Sequence, residues 1–408
     1  MVTIAPFRGV RYNPERVGIL DSVLAPPYDV ISPREQDELY EKSPYNVIRI
    51  ILSKVEGDEK YIQAAETFRR WIQEGILIQD SEPCIYPYYQ EFEENGKKIT
   101  RKGFISAVRL EDFSSKRILP HERTFSGPKL DRLKLTSACN ANLSPIFAIY
   151  SDPEGNLERA IEEKLSRPIV DAFGGDGTRN RLWRISDGDL ISKIKSAMID
   201  RSLLIADGHH RYETALEYRN IQRKRFGTGS RNEPYEYVMI YLSRAEGEGL
   251  IIKPTHRVVK NFGSIGLGEF IERLKRRFNV ERIPSNEIPA LGHREFVVLM
   301  KDSIFKISLK ESLGNQSPFH YKDLAVILLH SLVFGEIIDE EESGIFYTKS
   351  IEEVFSLVKS GEYKIGFILP PLKAVDVFEV VLSGEKMPHK TTYFYPKLLS
   401  GLVFHLLE

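Results

Sequence analysis

The sequence predicts a mixed α+β fold in two domains, and three observations carry that expectation. Short apolar runs suited to buried strands alternate with longer stretches whose apolar residues recur at helical spacing. Two glycine-bearing turns, Glu94-Asn95-Gly96 and Gly174 to Gly177, separate neighbouring strand candidates as hairpin turns do. Near residue 261 a new alternation of helix and strand begins with no low-complexity linker before it. The expected domains are therefore 1–260 and 261–408, and a chain of 408 residues can bury a core in each.

Taken in order, residues 1–32 are rich in Pro, Arg and Gly and read as an extended lead-in or a loop lining a site. Ser32 before Pro33 starts a helix, because the hydroxyl can cap it and proline presets φ at the first helical position; it runs to about Lys42. Asn46 to Leu52 reads as a strand. Asp58 to Gly75 is an amphipathic helix with Ile62, Ala65, Phe68, Trp71 and Ile72 on one face, closed by Gly75. Cys84–Phe92 and Ile99–Leu110 form the first hairpin, and Pro87 points to an edge or a bulge because it has no N–H for the ladder. Ile118 to Ser126 is a loop or strand end dense in ionisable groups. A helix from about Pro128 to Asn140 and a strand at Ile146–Tyr150 follow.

Pro168–Phe173 and Arg181–Ile185 flank the second hairpin turn, which lacks the Gly-Lys-Ser/Thr ending of a phosphate loop. Asp187 caps a helix through Met198. Tyr235–Leu242 and Leu250–Lys253 are strands, with Pro254 to Arg257 as a loop. Beyond residue 261 the reading is a helix at Leu267–Phe278, a hairpin of Glu295–Met300 with Phe305–Leu309, and an apolar helix at Tyr321–Phe334. Ile345–Tyr347, Ile351–Lys359, Lys364–Leu369 and Lys373–Leu382 then read as strand, helix, strand, helix. Lys390 to Lys397 joins aromatic residues to two lysines, as a packed terminal strand or a cover over a ligand.

Composition narrows the function classes. Hydrophobic content of 42% and charged content of 28% are those of a soluble globular protein. A formal net charge of −1 leaves no global basic field for DNA or an anionic membrane. Cys84 and Cys139 stand alone, so no disulfide framework is expected. There is no signal-peptide pattern and no apolar run near the ~20 residues that span a bilayer. The expectation is a cytoplasmic protein, with a homodimer allowed.

The chemistry centres on Ser202 to Arg219. Leu203 to Ala206 is an apolar run too short for a helix, Asp207-Gly208 breaks it, and Tyr212, Ala215 and Leu216 recur at helical spacing from His209 onward. Strand, tight turn and helix in that order make an anion site. The first helical N–H groups lack intrahelical acceptors and carry the positive end of the dipole. Gly208 has no side chain to block a phosphate, and Arg211 adds a planar charged fork. Asp207 at the strand end could cap the helix, hold a magnesium ion or accept a proton. His209 and His210 diverge on the first turn, so one of them at most faces a ligand.

Asp207 to Arg211 (DGHHR), behind a strand and opening a helix, resembles the phosphate-binding motif of the ParB/sulfiredoxin superfamily, which includes partition CTPases, sulfiredoxins and free-serine kinases. Seven further phrases resemble the family grouped as domain of unknown function 1015: Pro6 to Gly9, Ala25 to Ser32, Ser43 to Arg49, Leu119 to Thr124, Asn142 to Pro145, Pro254 to Arg257, and Thr392 to Lys397. The resemblance implies a ParB/sulfiredoxin-like nucleotide-binding core with large insertions. Where sulfiredoxins carry a cysteine after the motif glycine, this chain has His209, which excludes sulfinic acid repair.

The expected activity is phosphoryl transfer from ATP, ADP or CTP with Mg²⁺ to a small hydroxylated metabolite. Gly208 and the N–H groups of His209 and His210 would cradle phosphates, Arg211 would clamp them, and Asp207 would hold the metal or orient the acceptor. His210 and Asp207 are candidates for the chemistry, and Glu122, between His121 and Arg123, is the candidate base. Arg8, Arg123, Arg132, His256 and Arg257 are candidates to converge on the helix N-terminus and stabilise charge on the transferred group. Zinc is a weak alternative, since no spacing of His121, His209, His210 and His256 specifies it. The competing readings are a non-catalytic CTP- or ATP-dependent switch of the partition type and a phosphate-ester hydrolase.

Overall fold

The computed structural model describes residues 1–121, 126–227, 232–261, 265–284, 288–310, 321–338, 344–388 and 390–408. The architecture is mixed α+β, as the sequence leads one to expect. Internal contacts divide the chain into two compact units, Met1–Leu250 with Pro396–Glu408, and Ile251–Tyr395. The division falls at 250/251 where the sequence reading has 260/261, and the C-terminal residues return to the first unit.

The first unit is built on a nine-stranded sheet. Its strands are β1 (Ile4–Ala5), β2 (Tyr86–Glu94), β3 (Lys97–Arg109), β4 (Ile118–Leu119), β5 (Ile146–Tyr150), β6 (Val170–Phe173), β7 (Arg179–Leu182), β8 (Leu203–Asp207) and β9 (Tyr237–Arg244). They lie in the order β4-β8-β5-β9-β3-β2-β7-β6, with β1 paired to β3. β8 runs parallel to β4 and antiparallel to β5, and β5 runs parallel to β9. Both hairpins form as their glycines predict: β2 and β3 close at Asn95-Gly96, β6 and β7 around Gly177, and Gly96 and Gly177 take φ of 73° and 79°.

One face of this sheet packs on helix α1 (Gly188–Met198), capped by Asp187 Oδ1 on the Leu190 N–H at 2.9 Å, and on the start of helix α2 (His209–Phe226). Leu190, Ile194 and Met198 of α1 and Tyr212 and Ala215 of α2 join Leu203 and Ile205 of β8 in one buried cluster. The strand at the candidate site is thus held from below by apolar burial, worth about 1.5–3 kcal/mol for each large side chain.

Several elements differ from the sequence reading. Asn46–Leu52 is not a strand; Ile48–Ile51 is a helical turn, because Asn46 Oδ1 accepts the Ile48 N–H at 2.9 Å and closes the backbone locally. In the helix Glu59–Gln73 the buried residues are Tyr61, Ala64, Ala65, Thr67, Phe68 and Trp71, while Ile62 is half exposed. Pro87 lies within the sheet, not at an edge: its carbonyl accepts the Trp183 N–H at 2.9 Å, and the same register continues to the Ile85–Ile185 bridge, so only the hydrogen bond a proline N cannot donate is missing.

The second unit holds a six-stranded sheet in the order Phe278–Ile283, Ser303–Leu309, Glu295–Met300, Ile365–Ile368, His256–Val259, Ile345–Thr348. The chain enters and leaves this unit through a paired ribbon, Ile251–Pro254 with Thr392–Tyr395. Residues 254–257, expected as a loop, are the end of one strand and the start of another. Their polar groups mislead because they are satisfied internally: His256 Nδ1 accepts the Leu369 N–H at 3.2 Å, and Arg257 donates to the Thr255 carbonyl. The apolar run Tyr321–Phe334 forms a short turn at Tyr321–Asp323 and, after an extended Leu324, a continuous helical stretch over Ala325–Phe334 whose last six residues take π spacing.

Candidate anion-binding site

The site begins where β8 ends. Ile205 pairs with Ala148 and Asp207 with Phe147, so Ala206 is an extra residue opposite β5. A bulge at a strand end re-aims the next side chain, and here that side chain is Asp207. Gly208 follows with φ of 93° and ψ of 30°, in the left-handed region that L side chains avoid. A Cβ on Gly208 would also lie 3.0 Å from the Arg211 guanidinium. The 18-residue helix α2 starts at once, and the Tyr212 N–H bonds the Gly208 carbonyl at 3.0 Å. Among the described residues the backbone N–H groups of Gly208, His209 and Arg211 meet no acceptor.

Two cations grip the Asp207 carboxylate. Lys397 Nζ donates to Oδ1 at 2.8 Å, and Arg211 Nη2 donates to Oδ2 at 2.7 Å. Arg211 Nη1 also donates to the Pro145 carbonyl, which folds the guanidinium back over the Gly208 turn and keeps it out of bulk water. Burial alone would raise the Asp207 pKa, but Lys397 and Arg211 outweigh it and hold the carboxyl well below its usual range. The same pattern recurs at Asp131, which accepts from Lys60 at 2.8 Å and pairs with Arg132; burial pushes that carboxyl up, yet Arg132 and Lys60 bring it down to about 2. Arg132 lies 3.9 Å over the Tyr28 ring, and Arg132, Arg211, Tyr28, Ser144 and Thr214 line one cavity of about 50 Å³. Residues from the Ala25–Ser32, Asn142–Pro145 and Asp207–Arg211 phrases therefore meet in space.

His209 is buried and neutral. Burial and the neighbouring His121 push its pKa well below the usual value. Its Nε2 accepts the His121 N–H at 3.3 Å, and the two rings meet edge to face at 4.6 Å. His121 Nδ1 lies 2.7 Å from the Ile205 carbonyl, which can only accept, so that nitrogen carries the proton. The His209 imidazole is thus a packing group, while its main-chain N–H remains open. His210 is half-buried on the same turn.

Of the other expected residues, Glu122 and Arg123 lie outside the described residues. Arg8 is committed elsewhere, donating from Nε to the Asp80 carbonyl at 3.0 Å. His256 and Arg257 are buried in the second unit, and burial with the adjacent Arg257 pushes His256 down to about 4. Both cysteines are buried thiols, Cys84 pushed up to about 11 and Cys139 up to about 12, chiefly by burial. Both Asp207 oxygens being held by an ammonium and a guanidinium, a divalent ion there would have to displace one of them. Among the described residues no group of three His, Cys, Asp or Glu side chains is placed to hold a metal. The residues present do not fit a magnesium ion held by Asp207.

Sequence reasoning missed two residues. Lys397 stood in a quoted phrase but was read as part of a strand or a cover, not as the partner of Asp207. Arg101, in the strand read only as half of the first hairpin, is wholly buried, its guanidinium 4.7 Å over the Phe147 ring.

Fold and site define a mixed α+β protein whose buried central strand passes through a left-handed glycine into a long helix. The chain belongs to the family described as "Protein of unknown function (DUF1015)", whose model matches residues 4–331. No curated protein matches it. Among solved structures it is similar to a conserved hypothetical protein from Pyrococcus furiosus at 16% identity, over 70% of this chain and 92% of that one, with a TM-score of 0.33. It is similar to a free serine kinase in complex with AMP at 17% identity, over 70% and 89%, with a TM-score of 0.35. SbnI with C-terminal truncation from Staphylococcus aureus matches at 14% identity, over 72% and 85%, with a TM-score of 0.35.

Proposed function

We propose that this chain binds the phosphates of a nucleotide at the Gly208 turn and passes a phosphoryl group to a small hydroxylated metabolite. The observation that carries the reading is the pairing of open main-chain amides at the start of an 18-residue helix with a buried carboxylate that holds an arginine and a lysine beside them. The open amides of Gly208, His209 and Arg211 cradle the phosphates, and the Arg211 and Lys397 side chains supply positive field. Asp207 sets where those two cations stand, in place of the metal-binding role expected for it. Phosphoryl transfer asks a protein mainly for position and charge, which this arrangement offers. Magnesium would arrive on the nucleotide's own phosphates and water. Glu122 is the proposed base, by its chemistry and its place beside His121.

A second reading has its own support. The imidazoles of His121 and His209 are both held in protein contacts. That favours binding without turnover, in the manner of a nucleotide-dependent switch.

The test is a thermal-shift titration of the full chain with ATP, ADP and CTP in Mg²⁺, followed by product analysis. Binding should raise the midpoint, since stabilisation reaches about 2.7 kcal/mol at a hundredfold excess over Kd. Arg211→Ala should remove most of that shift. A kinase consumes nucleotide only when a hydroxylated acceptor is added, a hydrolase releases phosphate without one, and a switch binds without fast turnover. No shift with any of the three nucleotides overturns the proposal.

A further inference from the structure

We propose that the cavity sharing Arg211 with the Gly208 turn, and walled also by Tyr28, Arg132, Thr136 and Asn142, is the acceptor pocket and takes a short-chain hydroxycarboxylate. The inference rests on the reading of the turn as a nucleotide-phosphate site and names the class of molecule that receives the phosphoryl group.

Size sets the first limit. The cavity measures about 50 Å³. A water occupies ~10–15 Å³ on that scale, and bonded atoms sit closer than waters do, so the space admits a chain of about two or three carbons with its oxygens. A base with its ribose is too large for it. Leu135, Ile146 and Val238, all buried, make one wall apolar. A short carbon chain that carries oxygens on its other side matches both walls.

The polar wall says which oxygens. Asn142 Oδ1 faces the Met239 N–H at 2.9 Å, and a main-chain N–H can only donate, so the amide oxygen is on that side and the NH2 group on the other. Asn142 is 9% exposed, and among the described residues its NH2 group donates to nothing. Burying a donor without an acceptor is costly, and a ligand oxygen supplies the acceptor. Arg132 is as deeply buried, with its guanidinium 3.9 Å over the Tyr28 ring. Its Nε and Nη2 donate to Asp131 Oδ2 and its Nη1 to the Ile51 carbonyl at 2.9 Å, which uses three of the five N–H groups an arginine carries. The remaining N–H groups suit a carboxylate, the acceptor a guanidinium binds best. Asp131 is itself taken up by Lys60 and Tyr61, each at 2.8 Å, and is not part of the described lining. The hydroxyls of Tyr28 and Thr136 meet no partner among the described residues and are left for the hydroxyl of the ligand.

Arg211 ties this pocket to the turn. It lines the cavity, donates to the Pro145 carbonyl and lies 3.0 Å from the point where a Cβ on Gly208 would stand. A ligand hydroxyl at that end would meet phosphates held on the open amides. In the transfer its oxygen bonds to the terminal phosphorus of the nucleotide. The bond from that phosphorus to the bridging oxygen breaks, its electron pair stays on the nucleotide, and the hydroxyl proton passes to the base.

The experiment titrates the full chain by calorimetry with glycolate, lactate, glycerate and glycerol, and separately with ATP and Mg²⁺. It compares the wild type with Asn142→Asp and Thr136→Leu, with the unliganded melting midpoint as the fold control. Asn142→Asp keeps an oxygen for the Met239 N–H but turns the donor into an acceptor. Thr136→Leu removes a hydroxyl and fills the space with a side chain that suits a helix. At least one of the acids should bind the wild type, and glycerol, which lacks the carboxylate, should bind roughly tenfold more weakly. Each variant should weaken the acid roughly tenfold. Thr136→Val takes the place of a variant that does not fold and should weaken binding severalfold. No binding of any acid overturns the proposal, as does glycerol binding as tightly as the acids, or wild-type affinity in both variants. If ATP binds and the acids do not, this inference falls and the reading of the turn stands. If the acids bind and ATP does not, the reading of the turn falls and takes the acceptor role with it.

Discussion

At Gly208 a single missing side chain does two jobs. The residue takes φ of 93°, and the space a Cβ would fill is occupied by the Arg211 guanidinium at 3.0 Å. An alanine there would cost about 1–2 kcal/mol in backbone strain and would also push Arg211 away from Asp207. Gly208→Ala is therefore expected to lower the melting midpoint by a few degrees while weakening nucleotide binding far more than that loss of stability explains. Parallel melting and titration curves check this, and a variant with lowered stability but unchanged affinity would show the turn to be structural only. The buried histidines make a second prediction. His256 and His405 are pushed down to about 4 by burial, with Arg257 adding to the effect at His256, and His209 is also held low. A histidine whose pKa is lower folded than unfolded carries more protons unfolded, so its stabilisation is complete above about pH 6.5 and is lost as pH falls toward 4. Each contributes up to ~1.4 kcal/mol per pH unit in that window. Urea midpoints should fall across it, and His256→Asn, which keeps an acceptor for the Leu369 N–H but cannot titrate, should flatten the slope.

At the scale of elements, some of the phrases that mark the family serve packing rather than chemistry. Gly9 sits against Tyr86, whose hydroxyl accepts the Gly9 N–H at 2.8 Å and donates to Asp80 Oδ2 at 2.8 Å. Asp80 also holds Arg11 and Arg184, each at 3.0 Å. Tyr86→Phe would strand the buried Gly9 N–H, at a cost of about 1–3 kcal/mol. It should leave nucleotide affinity untouched, and a chemical-denaturation curve beside a titration separates the two. This also shows what could be read in advance. The hairpins, the Asp187 and Ser32 caps and the strand–turn–helix at Asp207–Arg211 were legible because turn chemistry and periodicity are local. Asn46 hid a helical turn inside an apolar run, since one side-chain hydrogen bond outweighed strand propensity. His256 and Arg257 were read as ligand-facing loop residues, because the backbone groups that satisfy them, the Leu369 N–H and the Thr255 carbonyl, leave no mark in a local pattern. Lys397 was legible as part of a phrase, but its partner Asp207 is 190 residues away, a separation no local pattern reports.

Over the whole molecule, the chain leaves the first unit at residue 250 and returns at Pro396, so that unit is finished by residues that come last. The returning segment is threaded rather than laid on the surface. Ala25 and Ser400 exchange backbone hydrogen bonds, as do Val10 and Phe404, and His405 pairs with Asn142. Leu398, Leu399, Leu402, Val403 and Phe404 are all buried. At about 1.5–3 kcal/mol for each large side chain, their burial amounts to on the order of 10 kcal/mol, comparable with the ~5–15 kcal/mol that separates a whole folded domain from its unfolded state. A chain ending at Tyr395 is accordingly expected to lose the cooperative unfolding of the first unit and not simply its Lys397 contact, whereas Lys397→Met should melt near the wild-type midpoint. Calorimetric scans of the two proteins side by side make the distinction. If the truncated chain still gives a cooperative transition at the wild-type temperature, the last residues are an appendage, and the buried Arg101, which donates to the Pro396 carbonyl at 2.6 Å, keeps its place without that partner.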